Sequence, residues 1–308
     1  MPAPCILDSI PSSDQPTEEQ PMAKDKNVIL VTGATGQQGG AVARELLARA
    51  HTVRAMTRKP DSPAAQALAQ RGAEVAKGDL DDPASLTRAL QGAWGVFAVQ
   101  NTWEAGVERE EAQGKGIAEL ARKSGVQQYV YTSVGSAHRK TGIPHFDNKW
   151  RVEETVRRLG FPSHVIIRPV FFMENFLSAW FKPGIDQGKL MIGLKPTTVL
   201  QMIAVSDVGK YGALAFEKHK ELNRQEIDIA GDAHTMSETA RILGEAAGKT
   251  ISFEQVPIAE VRKASEDYAL MLEWFDRVGY NVDIPGIAKQ HGIKPTSLAE
   301  WAATAKWS

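Results

Sequence analysis

The chain has 308 residues, of which 43% are hydrophobic and 24% charged, so it is long enough to bury one large core or two joined ones. Its 36 basic and 37 acidic side chains nearly cancel, which argues against direct nucleic-acid binding and against attraction to an anionic membrane. The single cysteine, Cys5, excludes an intramolecular disulfide framework and is typical of a reducing cytosol. We therefore predict a soluble, cytoplasmic protein.

Residues 1–25 differ in composition from the rest of the chain. They are rich in Pro, Ser, Asp and Glu, and they have neither a helical period nor the apolar centre of a signal peptide. We expect a disordered tail, and Met22 could be the first residue of a shorter native chain. No apolar run in the sequence reaches the about 18 residues that a membrane span requires.

From Val28 onward, strand-like runs alternate with helical stretches. Val28–Gly33 is a continuous apolar run that ends in glycine, which is typical of a strand buried on both faces of a parallel sheet. A helix over Gly40–His51 follows it. The further strand-like runs of this region are Thr52–Arg58, Ala73–Asp79, Gly95–Gln100, Tyr129–Ser133 and His164–Pro169. This alternation predicts a doubly wound parallel α/β sheet, the Rossmann architecture, over residues 26–170.

After Pro169 the elements become shorter, which predicts a smaller α/β lobe over residues 171–308 for a substrate or partner. The strands predicted there are Leu200–Val205, Glu226–Ala230 and Ile251–Val256, and the helices are Val208–His219, Ser237–Gly248 and Ile258–Val278. Some of these segments could return to the first domain. An apolar stripe could line the crevice between the domains, although ordinary core packing is the favoured interpretation; it consists of Tyr268, Met271, Trp274 and Phe275.

A glycine-rich segment lies between the first strand and the first helix. Gly33, Gly36 and Gly39 form a GxxGxxG pattern, in which the first glycine permits a tight turn, the second lets a pyrophosphate approach and the third allows close helix packing. The amides near Gln37 and Gln38 would direct the helix N-terminus at the phosphates, and Thr35 belongs to the same loop. This context predicts a dinucleotide site rather than a glycine-rich turn without a ligand.

The end of the second strand indicates which dinucleotide is bound. NAD-binding folds place an acidic residue about 20 residues beyond the glycines, but no acidic residue lies between Glu45 and Asp61. Arg58 and Lys59 occupy this position and favour the 2′-phosphate of NADP(H), with a solvated basic turn as the alternative. We expect three further cofactor contacts, the first of which could instead cap a helix: Asp79, Leu80 and Gln100.

Several motifs together resemble the NmrA-like branch of the atypical short-chain dehydrogenase/reductase superfamily. From the glycine-rich loop to just past the sixth strand they are VTGATGQQGG at Val31–Gly40, the turn with Arg58, GDLDD at Gly78–Asp82, SVGSA at Ser133–Ala137, HFDNK at His145–Lys149 and ENF at Glu174–Phe176. Further along the chain they are IAVSDVG at Ile203–Gly209, AGDAHTM at Ala230–Met236 and WFDRVGYNVDIP at Trp274–Pro285. The resemblance covers nearly all of the chain after the tail.

This resemblance implies either of two activities, because the family includes NADPH-binding regulators as well as quinone, isoflavone and related reductases. Enzymes of the superfamily use a Tyr four residues before a Lys, whereas this chain has His145 before Lys149. On a helix the two side chains still share one face. His145 could act as a general acid or be structural, and Lys149 would bind the cofactor ribose in either case. Ser133 resembles the substrate-orienting Ser of the superfamily, but it could simply end its strand.

The resemblance also implies that the segment after the sixth strand covers the nicotinamide. The residues concerned are Pro169, Phe171, Phe172 and Asn175. The aromatic pair is equally compatible with ordinary core packing.

Two functions therefore remain open. The replacement of the tyrosine by His145 favours an NADP(H)-sensing regulator with a protein partner and without standard dehydrogenase chemistry. The alternative is an NADPH-dependent reductase of a small carbonyl or quinone compound, which the retained Lys149 permits. No metal site is predicted, because the seven His and the one Cys lack ligand spacing.

Overall fold

The computed structural model of the protein describes Met1 and residues 27–307, so the predicted tail lies, apart from Met1, outside the described residues. The strands are β1 Val28–Val31, β2 Thr52–Thr57, β3 Glu74–Lys77, β4 Ala93–Ala98, β5 Gln128–Thr132, β6 Ser163–Pro169, β7 Phe171–Phe172, β8 Lys189–Ile192, β9 Val199–Ile203, β10 Glu226–Ile229, β11 Asp232–Thr235 and β12 Ser252–Gln255. The helices are α1 Gln37–Ala48, α2 Pro63–Gln70, α3 Pro83–Leu90, α4 Thr102–Ala105, α5 Val107–Lys123, α6 Pro144–Leu159, α7 Lys182–Asp186, α8 Val205–Glu217, α9 Met236–Ala247, α10 Ile258–Ala264, α11 Glu266–Arg277, α12 Ile284–His291 and α13 Leu298–Thr304.

A seven-stranded sheet forms the larger part of the molecule. Its strand order is β10-β6-β5-β4-β1-β2-β3, and every neighbouring pair is parallel. Helices α1 and α8 pack together on one face, and α3, α5 and α6 cover the other. The central strands are apolar because both of their faces are buried. The predicted doubly wound Rossmann sheet is confirmed.

The edge strand β10 comes from the part of the chain that the sequence assigns to the smaller lobe. It pairs with β6 in the register Ile227↔Ile167, and its isoleucines join the core beside α8. Buried Arg168 on β6 explains the pairing chemically, because its guanidinium needs acceptors. It bonds Glu153 on α6 at 2.8 Å and Asp228 on β10 at 3.4 Å. The chain therefore returns to the first sheet after it has begun the second lobe.

Among the described residues, the smaller lobe contains two short sheets and helices α7, α9, α10, α11 and α13. One sheet has the order β11-β9-β7 and the other pairs β12 with β8. Within the described residues, Met271, Trp274 and Phe275 are buried in this lobe's core, which confirms the core interpretation of their stripe. The single helix predicted over residues 258–278 is wrong. Ser265 is extended and its hydroxyl accepts the Tyr268 N–H at 3.1 Å, so a new helix begins there.

Close backbone contacts hold α1 in place on both sides. A Cβ at Gly39 would lie 2.4 Å from the carbonyl oxygens of both Thr32 and Gly33. On the opposite side, a Cβ at Gly209 of α8 would lie 2.9 Å from the carbonyl oxygen of Ala41. Both glycines are required by the space available rather than by their backbone angles.

We expect Gly209→Ala to destabilise the protein by about 1–3 kcal/mol, because the added methyl must push α8 away from α1. The matched control is Gly116→Ala on α5, where a Cβ would meet nothing within 4 Å. That change should be neutral or stabilise the fold by up to about 1 kcal/mol, because alanine favours helix. Urea unfolding measures both. Equal stability of the two variants would contradict the described contact between α1 and α8.

Candidate functional site

The glycine-rich loop turns sharply between β1 and α1. Gly33 has the left-handed φ of +57°, and the Gly36 N–H donates to its carbonyl oxygen at 2.9 Å. A Cβ at exposed Gly36 would meet only that carbonyl oxygen, at 3.3 Å, so the outer side of the loop is open. Helix α1 begins at Gln37 with neither a side-chain cap nor an acidic residue in its first turn. Its first amides can therefore bind an anion such as a pyrophosphate.

The loop after β2 carries the two predicted phosphate-binding cations. Arg58 and Lys59 are both exposed, and Thr57 before them lies 3.4 Å from Thr35 of the glycine-rich loop, measured between the hydroxyl oxygens. Arg58 forms an ion pair with Glu104 on α4, a residue that the sequence analysis did not single out. The loop is thus adjacent to the glycine-rich turn, and its arginine already has a carboxylate partner.

The loop after β3 contains three aspartates with different partners. Asp79 accepts the Asp81 N–H at 3.1 Å, whereas Asp82 caps α3 by accepting the Ala84 N–H at 3.0 Å. The alternative in which Asp79 caps the helix is therefore wrong. Hydrogen bonds from Arg109 hold the pKa of Asp81 below its usual value. Leu80 is half-buried against the core under α3 and α5.

Two buried polar side chains at the ends of β4 and β5 lack hydrogen-bond partners among the described residues. They are Gln100, through both of its amide atoms, and Ser133, through its hydroxyl. Burying such groups without partners costs free energy, so Ser133, next to Thr132, suits a bound polar ligand, whereas the Gln100 amide oxygen lies against α5, 3.3 Å from the Cβ position of Gly114. The side chain of Gln38 also reaches this edge, where it accepts the Thr132 hydroxyl at 2.8 Å. The residues present therefore fit a dinucleotide.

Lys149 lies in a polar cluster that is buried between α5 and α6. Its ammonium is 2.5 Å from Glu110, a carboxylate that also accepts from Thr102 and, at 2.9 Å, from Asn148. Burial opposes ionisation of Glu110, but the charge of Lys149 and these hydrogen bonds outweigh it and lower the pKa of the carboxyl. Glu110 could not be recognised as a site residue from sequence, because only the fold brings α5 against α6.

His145 is buried at the start of α6 and contacts the smaller lobe. Its Nδ1 lies 2.5 Å from a carboxylate oxygen of Asp267 on α11. A carboxylate can only accept, so Nδ1 carries the hydrogen and Nε2 faces away from the aspartate. The exposed ring of Trp103 lies 5.2 Å from the imidazole and 6.1 Å from Tyr268, measured between ring centroids. Burial raises the pKa of the Tyr268 phenol, which therefore stays protonated.

Side chains of the segment after β6 pack in two different hydrophobic cores, that of the large sheet and that of the smaller lobe. Phe171 is buried and contacts Phe176 and Phe181, with ring centroids 5.7 and 6.2 Å away, so it packs inside the smaller lobe. Phe172 and Asn175 are half-buried, and Pro169 ends the strand. For Phe171 this arrangement favours core packing over a cofactor contact.

The predicted site residues on β1, β2, β4, β5 and their loops share the carboxyl edge of the large sheet. Parallel strands place these loops together, which is where α/β folds bind ligands. Among the described residues no group of three or more His, Cys, Asp or Glu side chains could hold a metal ion. None of the described helices has the length and apolarity needed to cross a bilayer.

The seven-stranded parallel sheet and the glycine-rich loop are those of the atypical short-chain dehydrogenase/reductase superfamily, whose members have a Rossmann sheet. Within that superfamily the chain belongs to the NmrA-like family, whose model matches residues 25–306. The resemblance inferred from the sequence is confirmed.

Named proteins of both functional kinds are similar to the chain. The oxidoreductase FrzB of a Cladobotryum species, an NmrA-like family domain-containing protein, is 38% identical over 167 residues. That match covers 51% of this chain and 50% of FrzB, so the chain spans about half the length of that relative.

Two solved structures share the fold. The NADPH-dependent quinone oxidoreductase QOR2 of Escherichia coli, complexed with NADPH, has a TM-score of 0.75 at 24% identity, covering 90% of this chain and 98% of QOR2. The negative transcriptional regulator NmrA in complex with NAD has a TM-score of 0.74 at 18% identity, covering 91% and 96% respectively.

We expect Gly36→Val to abolish dinucleotide binding while the protein still folds. A branched side chain would fill the open side of the loop, but the backbone φ of Gly36 is −93° and its Cβ position meets only one atom. Calorimetry with NADP⁺ measures binding, and circular dichroism checks the fold. Gly36→Ala is the matched control and should lose less affinity. Unchanged affinity in a folded Gly36→Val would show that the pyrophosphate lies elsewhere.

Proposed function

We propose that the protein is an NADP(H)-dependent reductase of a small carbonyl or quinone compound. The observation that carries this proposal is the contact between His145 and Asp267, which orients a buried imidazole at the junction of the two lobes. A histidine whose Nδ1 is held by a carboxylate is the usual arrangement of an acid–base residue. The oxidoreductase relative FrzB and the fold shared with QOR2 support the same class.

The cofactor contacts follow from the groups at the sheet edge. The first amides of α1 bind the pyrophosphate, and Arg58 with Lys59 binds the 2′-phosphate. Gln100 and Ser133 supply the buried polar atoms that lack partners within the described residues. When bound, the nicotinamide supplies the hydride.

His145 supplies the proton that accompanies the hydride. Its Nδ1–H stays on Asp267, so the donor is the imidazolium form, which gives the Nε2 proton to the oxygen of the reduced carbonyl or quinone and is left as the neutral ring with Nδ1–H on Asp267. Trp103, which packs against the imidazole, gives a planar acceptor an aromatic surface beside the proton donor.

Lys149 acts with Glu110 rather than alone. The charges of the two side chains nearly cancel, so Lys149 does not place an uncompensated positive charge next to the carbonyl or quinone substrate. Its remaining N–H groups can bind a ribose hydroxyl, because an ammonium has three donors and Glu110 takes one.

An NADP(H)-sensing regulator is the second candidate function. Two observations favour it: no tyrosine lies four residues before Lys149, and the Lys149 ammonium already forms an ion pair with Glu110. The fold shared with the regulator NmrA supports it. Such a protein would bind the cofactor, respond to its redox state through a protein partner and reduce nothing. The cytoplasmic location predicted from composition suits either function.

We expect His145→Phe to lose at least about tenfold in kcat while its affinity for NADPH stays unchanged, because phenylalanine keeps bulk but has no proton to donate. Loss of NADPH absorbance is followed anaerobically with a panel of carbonyl and quinone compounds. Asp267→Asn should also lose activity, but it should have little further effect in the His145→Phe background.

The outcomes separate the two functions. An inactive wild-type protein that binds NADPH would support the regulator, and His145→Tyr could then gain weak activity. An active His145→Phe variant would contradict the acid role and direct attention to Lys149.

We expect Arg58→Ala to weaken NADP(H) binding by about 1.5–3 kcal/mol while NAD(H) binding changes little, because only the former has a 2′-phosphate to pair with the guanidinium. Arg88→Ala on α3 is the matched control, since it removes an exposed arginine elsewhere in the same domain. Calorimetry with both oxidised cofactors measures the difference. Equal losses for the two cofactors would contradict the assignment of Arg58.

A further inference from the structure

The single-turn helix α4 reaches three parts of the candidate site that are distant in sequence. Three consecutive side chains of this helix contact three different parts of it. Thr102 donates to Glu110, the partner of Lys149, and is buried. Trp103 packs on His145, and Glu104 pairs with Arg58. One turn of helix therefore connects the proposed 2′-phosphate position with the proposed proton donor.

The charges around Arg58 are balanced. Lys59 follows it, and Asp81 lies within its electrostatic reach. Arg109 binds Asp81 at 3.0 Å and lies within reach of Asp79 and Glu104 as well. Two arginines, with Lys59 next to one of them in sequence, thus accompany three carboxylates before any phosphate arrives. A 2′-phosphate, which carries up to two negative charges, would meet repulsion from Glu104 in particular, because Glu104 already occupies the guanidinium.

The pair between Arg58 and Glu104 is weak enough to exchange. Their side chains are 59% and 54% exposed, and ion pairs this exposed contribute about 0–1 kcal/mol. A phosphate offers the arginine two oxygens in one plane and a larger charge, so it can displace the carboxylate.

On the basis of the proposed cofactor site, we propose that Glu104 determines cofactor selectivity: its carboxylate takes the place of the 2′-phosphate on Arg58, NADP(H) must displace it, and NAD(H) leaves it in place. Glu104 therefore reduces the preference for NADP(H) that Arg58 and Lys59 create.

The displacement reaches the other end of the site through Trp103. Thr102 is anchored in the buried cluster and Gly106 after α4 has the left-handed φ of +81°, so Trp103 and Glu104 are consecutive residues of the short stretch between an anchored side chain and a glycine. Trp103 lies in that stretch and is 61% exposed over His145. We therefore expect a 2′-phosphate bound at Arg58 to change the surroundings of Trp103, the residue next to Glu104.

Calorimetry on the full chain tests the selectivity. Glu104→Gln should bind NADP⁺ about two- to fivefold more tightly and NAD⁺ unchanged, because only the former had to displace the carboxylate. The matched control is Glu108→Gln, an exposed neighbour with no ion-pair partner within residues 27–307, and it should bind both cofactors as the wild type does. An unchanged ratio of the two affinities in Glu104→Gln, or the same change in Glu108→Gln, would overturn the proposal.

Tryptophan emission tests the connection to Trp103. The probe is adenosine 2′,5′-bisphosphate, which carries the 2′-phosphate but no nicotinamide, and ADP is its control. The bisphosphate should change the emission component that Trp103→Phe lacks, ADP should not, and the change should disappear in Glu104→Gln. A change that persists in Glu104→Gln, or no change although the bisphosphate binds, would overturn the connection. Wild-type protein that binds neither NADP⁺ nor the bisphosphate would refute the proposed cofactor site itself, whereas normal binding with unaltered selectivity would refute only the role of Glu104.

Discussion

The approach of α1 to the end of β1 is the constraint on which the rest of the architecture depends. At Gly39 the helix lies against two carbonyl oxygens of the β1 turn, with no room for a side chain. This contact directs the first amides of α1 over the carboxyl edge of the sheet, and α8 holds the helix there through Gly209. The anion site at that edge therefore arises from the packing of the backbone. The side chains of the neighbouring loops then determine which anionic ligand it prefers.

Most of the large sheet could be predicted from sequence because its signals are local. Buried parallel strands are short apolar runs, and the first glycine-rich turn lies between adjacent elements. The sequence did not indicate which later segment returns to the first domain, because the four residues of β10 form a pattern typical of any half-buried strand. Its place was decided by β6, where buried Arg168 needs the carboxylates that β10 and α6 provide.

The partners of the candidate site residues could not be predicted, because they are distant in sequence. Asp267 is 122 residues from His145, and Glu110 is 39 residues from Lys149. No spacing rule connects such pairs, and each partner is an ordinary surface carboxylate when its own helix is considered alone. The sequence thus indicates which types of side chain the site contains, whereas their protonation and orientation depend on how α5, α6 and α11 pack.

The late return of β10 has a consequence for synthesis on the ribosome. Until residue 229 has emerged, β6 is the outer strand of the sheet, and the backbone groups that will pair with β10 are exposed. Arg168 then has Glu153 as a partner but still lacks the carboxylates of β10. Exposed edges of this kind invite pairing with other chains. The nascent first domain therefore passes through a stage in which it is open to misassociation, and neither lobe can be cut from the other as one contiguous fragment.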